Sequence, residues 1–321
     1  MPKKILLDID PGVVDALAFC VALFDSSVDV IAVTSVGGNI PAPVSARNLQ
    51  ALLEFIDPPR LPRIGMGTLA DIDLPIDFSN LYGDDGLCGV SLPVAELRMQ
   101  HPAEKVICDA IRSDPENVMI ICLGPLTNIA RAFIRDPELP NLVRHIYISG
   151  GVVSACGNVT PCAEFNIYAD PIAAKTVLDS QCMKTIVPLD VTGNLVFTLD
   201  DVDKLAGLDN CVGQFYRGML LPVFRAYRQH YGIEGIYVHD LIAYMAATRP
   251  EYAETEEMPC EIETSGTITR GVTVFDRRHK PEWKNNTYVV TTLNDPEIII
   301  QDIITLLNST AEKCIKNKKN A

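Results

Sequence analysis

The chain has no run of about 18 uncharged apolar residues, so no membrane-spanning helix is expected. Its first apolar run, Ile5 to Leu7, meets Asp8 at once, too short for the core of a secretory signal, and no targeting segment is expected. There is no CxxC pair among its 10 cysteines (Cys20, Cys88, Cys108, Cys122, Cys156, Cys162, Cys182, Cys211, Cys260 and Cys314). Scattered cysteines, several inside apolar segments, read as free thiols in a reducing, cytoplasmic setting, not as disulfides or a metal–thiolate site. Positive charge is scarce: 27 Lys and Arg face 41 Asp and Glu, for a net charge of −14. Such a surface repels phosphate backbones and anionic lipid, which argues against nucleic acid and membrane as partners. No internal repeat or clear linker stands out, so we expect one domain over residues 1–321. With 321 residues, 48% of them hydrophobic, the chain can bury a large core.

What is present is an alternation of strand-like and helix-like runs. Ile5 to Ile9, Val28 to Val36, Arg63 to Met66, Val118 to Gly124, His145 to Ser149 and Lys184 to Asp190 read as strands. Val13 to Leu23, Val44 to Phe55, Ala103 to Arg112, Leu126 to Ile134 and Asp170 to Leu178 read as the helices between them. Near-continuous apolar strands alternating with helices predict an α/β fold of Rossmann-like kind, with a largely parallel sheet and helices on both faces. The last third is more helical, with Val212 to Tyr231, Leu241 to Ala247 and a final helix from Pro296 to Cys314. The basic tail KCIKNKKNA is expected to fray.

One stretch concentrates chemistry. In DIDPGVVD, residues 8–15, three carboxylates surround a Pro-Gly turn where the first strand ends. Ligands of open parallel sheets bind at the carboxyl ends of strands. Asp8, Asp10 and Asp15 brought together repel unless a proton or a cation sits among them. Oxygen donors without His or Cys favour a hard cation, magnesium or calcium. Asp15 could instead serve only the dipole of the following helix. A DxD at the end of a first strand also resembles aspartyl-nucleophile phosphatases of the haloacid dehalogenase superfamily, although Gly12 stands where those carry Thr or Val.

Other segments are polar at strand ends. VGGN ends the second strand at Asn39, CLGPLTNIA sets Gly-Pro between a strand and a helix, and YVHDLIA pairs His239 with Asp240. GNVTPCAEFNIYADP packs Asn158, Glu164 and Asn166 within nine residues. Glu164 and Asn166 could be the exposed face of a strand, and His-Asp a helix cap. Together they offer what a polyhydroxyl ligand needs: a cation, amides and carboxylates.

These segments, in this order, resemble the inosine–uridine-type nucleoside hydrolases, from the acidic turn to TRGVTVFDRR at residues 269–278. The resemblance implies hydrolysis of the N-glycosidic bond of a nucleoside, one tightly bound calcium, and a homodimer or homotetramer. It implies Asp10, Asp15 and Asp240 as side-chain metal ligands and the Leu123 carbonyl as a backbone ligand. Asp10 would be the general base, and His239 would give a proton to the departing base. Asn39, Asn158, Glu164 and Asn166 would hold the sugar hydroxyls. Tyr227 and Tyr231 would touch the base, and Tyr82 would belong to the family's mobile loop. His at position 239 suggests inosine, uridine or pyrimidine nucleosides over purine-specific action.

One position departs. The family's turn reads DxDPGxDD, and here Val14 replaces the first Asp of the final pair. That carboxylate binds a ribose hydroxyl, chiefly the 2′-OH, and Val cannot. A hydrogen bond to a charged group is worth about 1.5–3 kcal/mol. The sequence therefore predicts weakened activity on ribosides or an altered sugar preference, or else a calcium- and nucleoside-binding relative with little catalysis.

Overall fold

The structure is a computed structural model that describes residues 2–67, 78–92, 101–205 and 210–320. Its strands in chain order are β1 (Lys3–Ile9), β2 (Val28–Ser35), β3 (Arg63–Met66), β4 (Val118–Cys122), β5 (His145–Ser149) and β6 (Lys184–Val187). There follow β7 (Val196–Phe197), β8 (Ile236–Tyr237), β9 (Ala253–Met258), β10 (Cys260–Ile262), β11 (Thr273–Phe275) and β12 (Thr287–Leu293). Eight of them form one sheet in the order β3-β2-β1-β4-β5-β6-β12-β9. Every pairing in it is parallel except β12 with β9. The predicted α/β class is therefore the observed one.

Strand alternation divides two cores. Ile5, Leu7 and Ile9 of β1 face one, packed with the helices Val13–Phe24, Cys211–Tyr231, His239–Thr248 and Pro296–Asn320. Leu6 faces the other, with the helices Ala103–Ser113, Thr127–Arg135 and Pro171–Leu178. β4 repeats the division: Met119 and Ile121 join the first core, Val118, Ile120 and Cys122 the second. All five β4 residues are buried, as a central strand covered on both faces requires. The helix Cys211–Tyr231 buries Val212, Phe215, Tyr216, Met219, Val223 and Tyr227, the three-and-four spacing of one apolar face.

Several boundaries differ from the sequence reading. The sixth strand stops at Val187 because Pro188 cannot donate to the ladder, and Leu189–Thr192 forms a short helix. Glu164 and Asn166 do not lie on a strand: Glu164 caps the helix Phe165–Ala169. The last helix continues to Asn320, through the segment expected to fray. Parts of the Pro- and Asp-rich loop, residues 68–77 and 93–100, lie outside the described residues. Among the described residues, no helix is long and apolar enough to cross a membrane.

The sheet order sets the place of the site. Strands β2 and β3 extend to one side of β1, and β4 onward to the other. The crevice at that reversal, beyond the carboxyl ends of β1 and β4, is where open α/β sheets bind ligands. Asp10 follows β1 and Leu123 follows β4 at this crevice.

Candidate active site

A cavity of about 360 Å³ opens there. Its wall includes Val14, Asp15, Asn39, Tyr82, Leu123, Asn158, Glu164, Asn166, Tyr227, Tyr231, His239 and Asp240. Every site residue expected from the sequence lines it except Asp10, which is fully buried.

Asp10 is held tightly. Its Oδ2 accepts the Asn39 backbone N–H at 2.7 Å. A Cβ at Gly38 would lie 2.1 Å from Oδ2, and one at Gly124 2.7 Å from Oδ1, so only glycine fits on either side. The helix Val13–Phe24 begins at Gly12 with no side-chain cap, and Asp15 in its first turn leaves Oδ1 without a hydrogen-bond partner. Asp10 Oδ1 is likewise buried and unpartnered. Burial above all, then the Asp240 charge, pushes the Asp10 carboxyl well above the usual range. Burial and then the Asp10 and Asp240 charges do the same to Asp15. Asp240, which accepts a bond from Ser149 Oγ at 3.2 Å, is raised by burial to about 7.

Two orphaned carboxylate oxygens among mutually repelling acids, with carbonyl oxygen nearby, fit a hard cation. Asp10, Asp15, Asp240 and the Leu123 carbonyl are the groups that would hold one. Among the described residues, no three His, Cys, Asp or Glu side chains are gathered closely enough to hold a metal ion as they stand.

Asp8 plays a different part. Its Oδ1 accepts from Thr34 Oγ1 at 2.5 Å and from Asn128 Nδ2 at 2.8 Å, and it does not line the cavity. Its Oδ2 is buried without a partner, and a carboxylate bonded to Thr34 and Asn128 away from the cavity is poorly placed to attack a phosphate ester, which argues against the phosphatase alternative. Those bonds also account for GPLTN: Asn128 ties β1 to β2 through the Ser35 carbonyl, and Thr127 bonds Asp170.

The sugar-side amides are directional. Both N–H groups of the Asn166 amide are spent, on the Leu123 carbonyl at 2.7 Å and the Ser149 carbonyl at 2.9 Å. Its Oδ1 is what remains for a ligand. Asn158 is the reverse: its Oδ1 accepts from the Phe165 N–H at 2.9 Å, leaving its amide nitrogen free. Glu164 accepts the N–H groups of Asn166, Ile167 and Gly151, and burial raises it to about 7. Gly151 has φ 82°, a left-handed turn that brings its N–H to that carboxylate.

Aromatic rings form the opposite wall. Tyr82 and Tyr227 hydroxyls lie 3.3 Å apart, and Tyr227 meets Tyr231 edge-on at 5.3 Å. Tyr231 is 53% exposed and sits at the rim. Tyr237 stacks on His239 at 5.4 Å, and His239 Nδ1 lies 2.7 Å from Thr192 Oγ1. Burial pulls His239 down to about 4. His239 and Asp240 do not cap their helix; its N-cap is Val238, without a side-chain bond.

Sequence reasoning missed Phe78, Phe165, Thr192 and Tyr237 in this wall. Tyr237 stands two residues before the His-Asp pair and was open to notice. Thr192, in a short helix without a motif, carried no signal.

A family profile described as inosine-uridine preferring nucleoside hydrolase matches residues 5–299. Among curated proteins, "Probable uridine nucleosidase 2" of Arabidopsis thaliana is 34% identical over 92% of this chain and 95% of its own. A pyrimidine-specific ribonucleoside hydrolase of Shigella boydii is 33% identical over 90% and 94%. Among solved structures, a plant nucleoside hydrolase superposes with a TM-score of 0.89 at 29% identity, over 96% of this chain and 99% of that one. An acidic turn at the switch point, an amide-lined wall and an aromatic wall thus stand in a chain matched to this family over nearly its whole length: it belongs to the inosine-uridine preferring nucleoside hydrolases, a family of enzymes.

Proposed function

We propose that this enzyme hydrolyses the N-glycosidic bond of ribonucleosides with pyrimidine or hypoxanthine bases, releasing free base and sugar, with calcium as its metal. The observation that carries the reading is the meeting, at one cavity, of the unpartnered Asp15 carboxylate with Asp10 buried behind it, amides of opposite polarity and a tyrosine–histidine wall. The uridine and pyrimidine names of its relatives, at 34 and 33% identity, support the base preference.

The residues divide the work. Asn158 donates to a sugar hydroxyl, and Asn166 and Glu164 accept from others. Asp10 takes the proton of the attacking water, and the surrounding carboxylates favour positive charge developing on the sugar ring. The tyrosines sandwich the base, and His239 hydrogen-bonds it as the bond breaks. When bound, a calcium ion supplies the charge that offsets the crowded acids and acidifies a water beside them. A cytoplasmic homodimer or homotetramer belongs to the same proposal, supported by the resemblance and by ten cysteines that are all free.

Val14 shapes the finer reading. It lines the cavity at 8% exposure and presents methyl groups where the family pattern has a carboxylate. A ribose hydroxyl facing it loses its partner, so activity on ribosides is weakened and 2′-deoxy sugars are tolerated. Val14 also favours a second reading, a calcium- and nucleoside-binding relative without turnover.

The test is base release from uridine, inosine and 2′-deoxyuridine, by the calcium-loaded and the chelated protein and by Asp10→Asn. Calcium-dependent release lost in Asp10→Asn is expected. Calcium binding without release from any nucleoside would sink the enzyme reading in favour of the second.

A further inference from the structure

We propose that Thr192 sets the tautomer of His239, so that the imidazole presents its Nε2 proton to the base. The inference rests on the reading above that His239 faces the departing base.

The two ring nitrogens have unequal surroundings. Nδ1 is 2.7 Å from Thr192 Oγ1, and Tyr237 covers one ring face at 5.4 Å and 28°. His239 and Thr192 both line the cavity, and among the described residues Nε2 has no hydrogen-bond partner. The Thr192 residue is 1% exposed, so its single hydroxyl proton has two protein acceptors to choose from. One is Nδ1. The other is the Pro188 carbonyl, 3.3 Å away, beyond the usual range of an O–H···O bond. That carbonyl already accepts the backbone N–H groups of Val191 and Thr192, each at 3.1 Å.

The proton therefore goes to Nδ1, where the bond is short and the acceptor otherwise unfilled. With Nδ1 accepting, a neutral ring carries its hydrogen on Nε2. His239 then stabilises the negative charge of the leaving base through an N–H bond that needs no completed proton transfer. Thr192 touches neither substrate nor metal ligand in this role and is a positioning residue. The helix that carries it is itself anchored: Asp190 accepts the N–H groups of Val153, Ser154 and Ala155 at 2.7 to 2.9 Å.

Thr192→Val keeps the shape and removes the hydroxyl; Thr192→Ser keeps the hydroxyl. The substrates are uridine, whose base is a poor leaving group, and 4-nitrophenyl β-D-riboside, whose phenolate leaves without help. Thr192→Val is expected to lower kcat on uridine by about 10-fold or more, within the range for lost acid assistance, with KM little changed. On the nitrophenyl riboside the change stays within about twofold, and Thr192→Ser behaves like the wild type. In the wild-type protein, the ¹⁵N shift of the His239 signal, assigned by its absence in His239→Ala, should mark Nε2 as the protonated nitrogen.

Equal losses on both substrates, or a proton found on Nδ1 in the wild type, would overturn the proposal. If His239→Ala discriminates between the substrates and Thr192→Val does not, the Thr192 assignment alone falls. If His239→Ala spares uridine, the role of His239 falls and Thr192 with it.

Discussion

Val14→Asp separates a competent site from an inert one. Val14 sits in the first turn of the helix Val13–Phe24 and lines the cavity at 8% exposure. Aspartate is close to valine in size, so the backbone has no reason to move. Two effects oppose each other. A charged acceptor for a sugar hydroxyl is worth about 1.5–3 kcal/mol, roughly 10–100-fold in rate at about 1.4 kcal/mol per decade. A further carboxylate beside Asp15 adds repulsion on the order of 2–4 kcal/mol at an effective dielectric of roughly 20. Asp10 and Asp15 are already raised by burial and by neighbouring carboxylates, and Asp240 by burial and the Glu164 charge, so metal-free stability suffers, and a bound cation offsets the loss. We expect kcat/KM on uridine and inosine to rise about 10–100-fold, with little change on 2′-deoxyuridine. The Tm without metal should drop, and the rise in Tm on adding calcium should grow. An equal gain on the deoxy substrate, or no gain on ribosides with calcium bound, would refute the assignment of Val14.

Three other outcomes follow from the geometry. Gly38→Ala drives a methyl against Asp10 Oδ2, where 2.1 Å is available, and should abolish base release and weaken calcium binding measured by calorimetry. Asn166→Asp turns an N–H donor into an oxygen facing the Leu123 and Ser149 carbonyls, a loss of about 1–3 kcal/mol in urea unfolding. His145 is held at about 4 by burial first and the Arg144 charge second, with Nε2 against Thr185 Oγ1. A pKa lowered below the unfolded value near 6.5 gives stability that is complete above that pH and lost as pH falls toward 4. At about 1.4 kcal/mol per pH unit, and discounted for partial exposure, His145 contributes about 1–3 kcal/mol over that window. His145→Gln should flatten that part of the stability profile; an unchanged acid limb would exclude the assignment.

The fold was legible where local pattern and burial agree. β4 reads as five consecutive apolar residues because both its faces are covered, and β5 and the edge strand β3, though only partly buried, fell on their predicted bounds. The turns of the candidate site stood out because carboxylates and amides at strand ends have no role in a core. What the sequence withheld depends on distance across the chain. Thr192 and His239 are 47 residues apart and meet where their two helices pack, beside the pairing of β7 with β8. The polarity of Asn158 and Asn166 follows from which amide atom the Phe165 N–H or the Leu123 carbonyl occupies, and no local pattern encodes that. Glu164 could be taken for a strand face because its capping partners, the N–H groups of Asn166 and Ile167, are backbone and invisible in side-chain periodicity.

The strand β9 bears on how this protein behaves in a crowded solution. It ends the large sheet, pairing with β12 on one side and, among the described residues, with no strand on the other. An open edge of that kind invites another chain to add a strand. Here it reads AETEEM, with Glu254, Glu256 and Glu257 exposed. Two such edges brought together would set like charges against each other, which disfavours the zipping of neighbouring molecules into fibres.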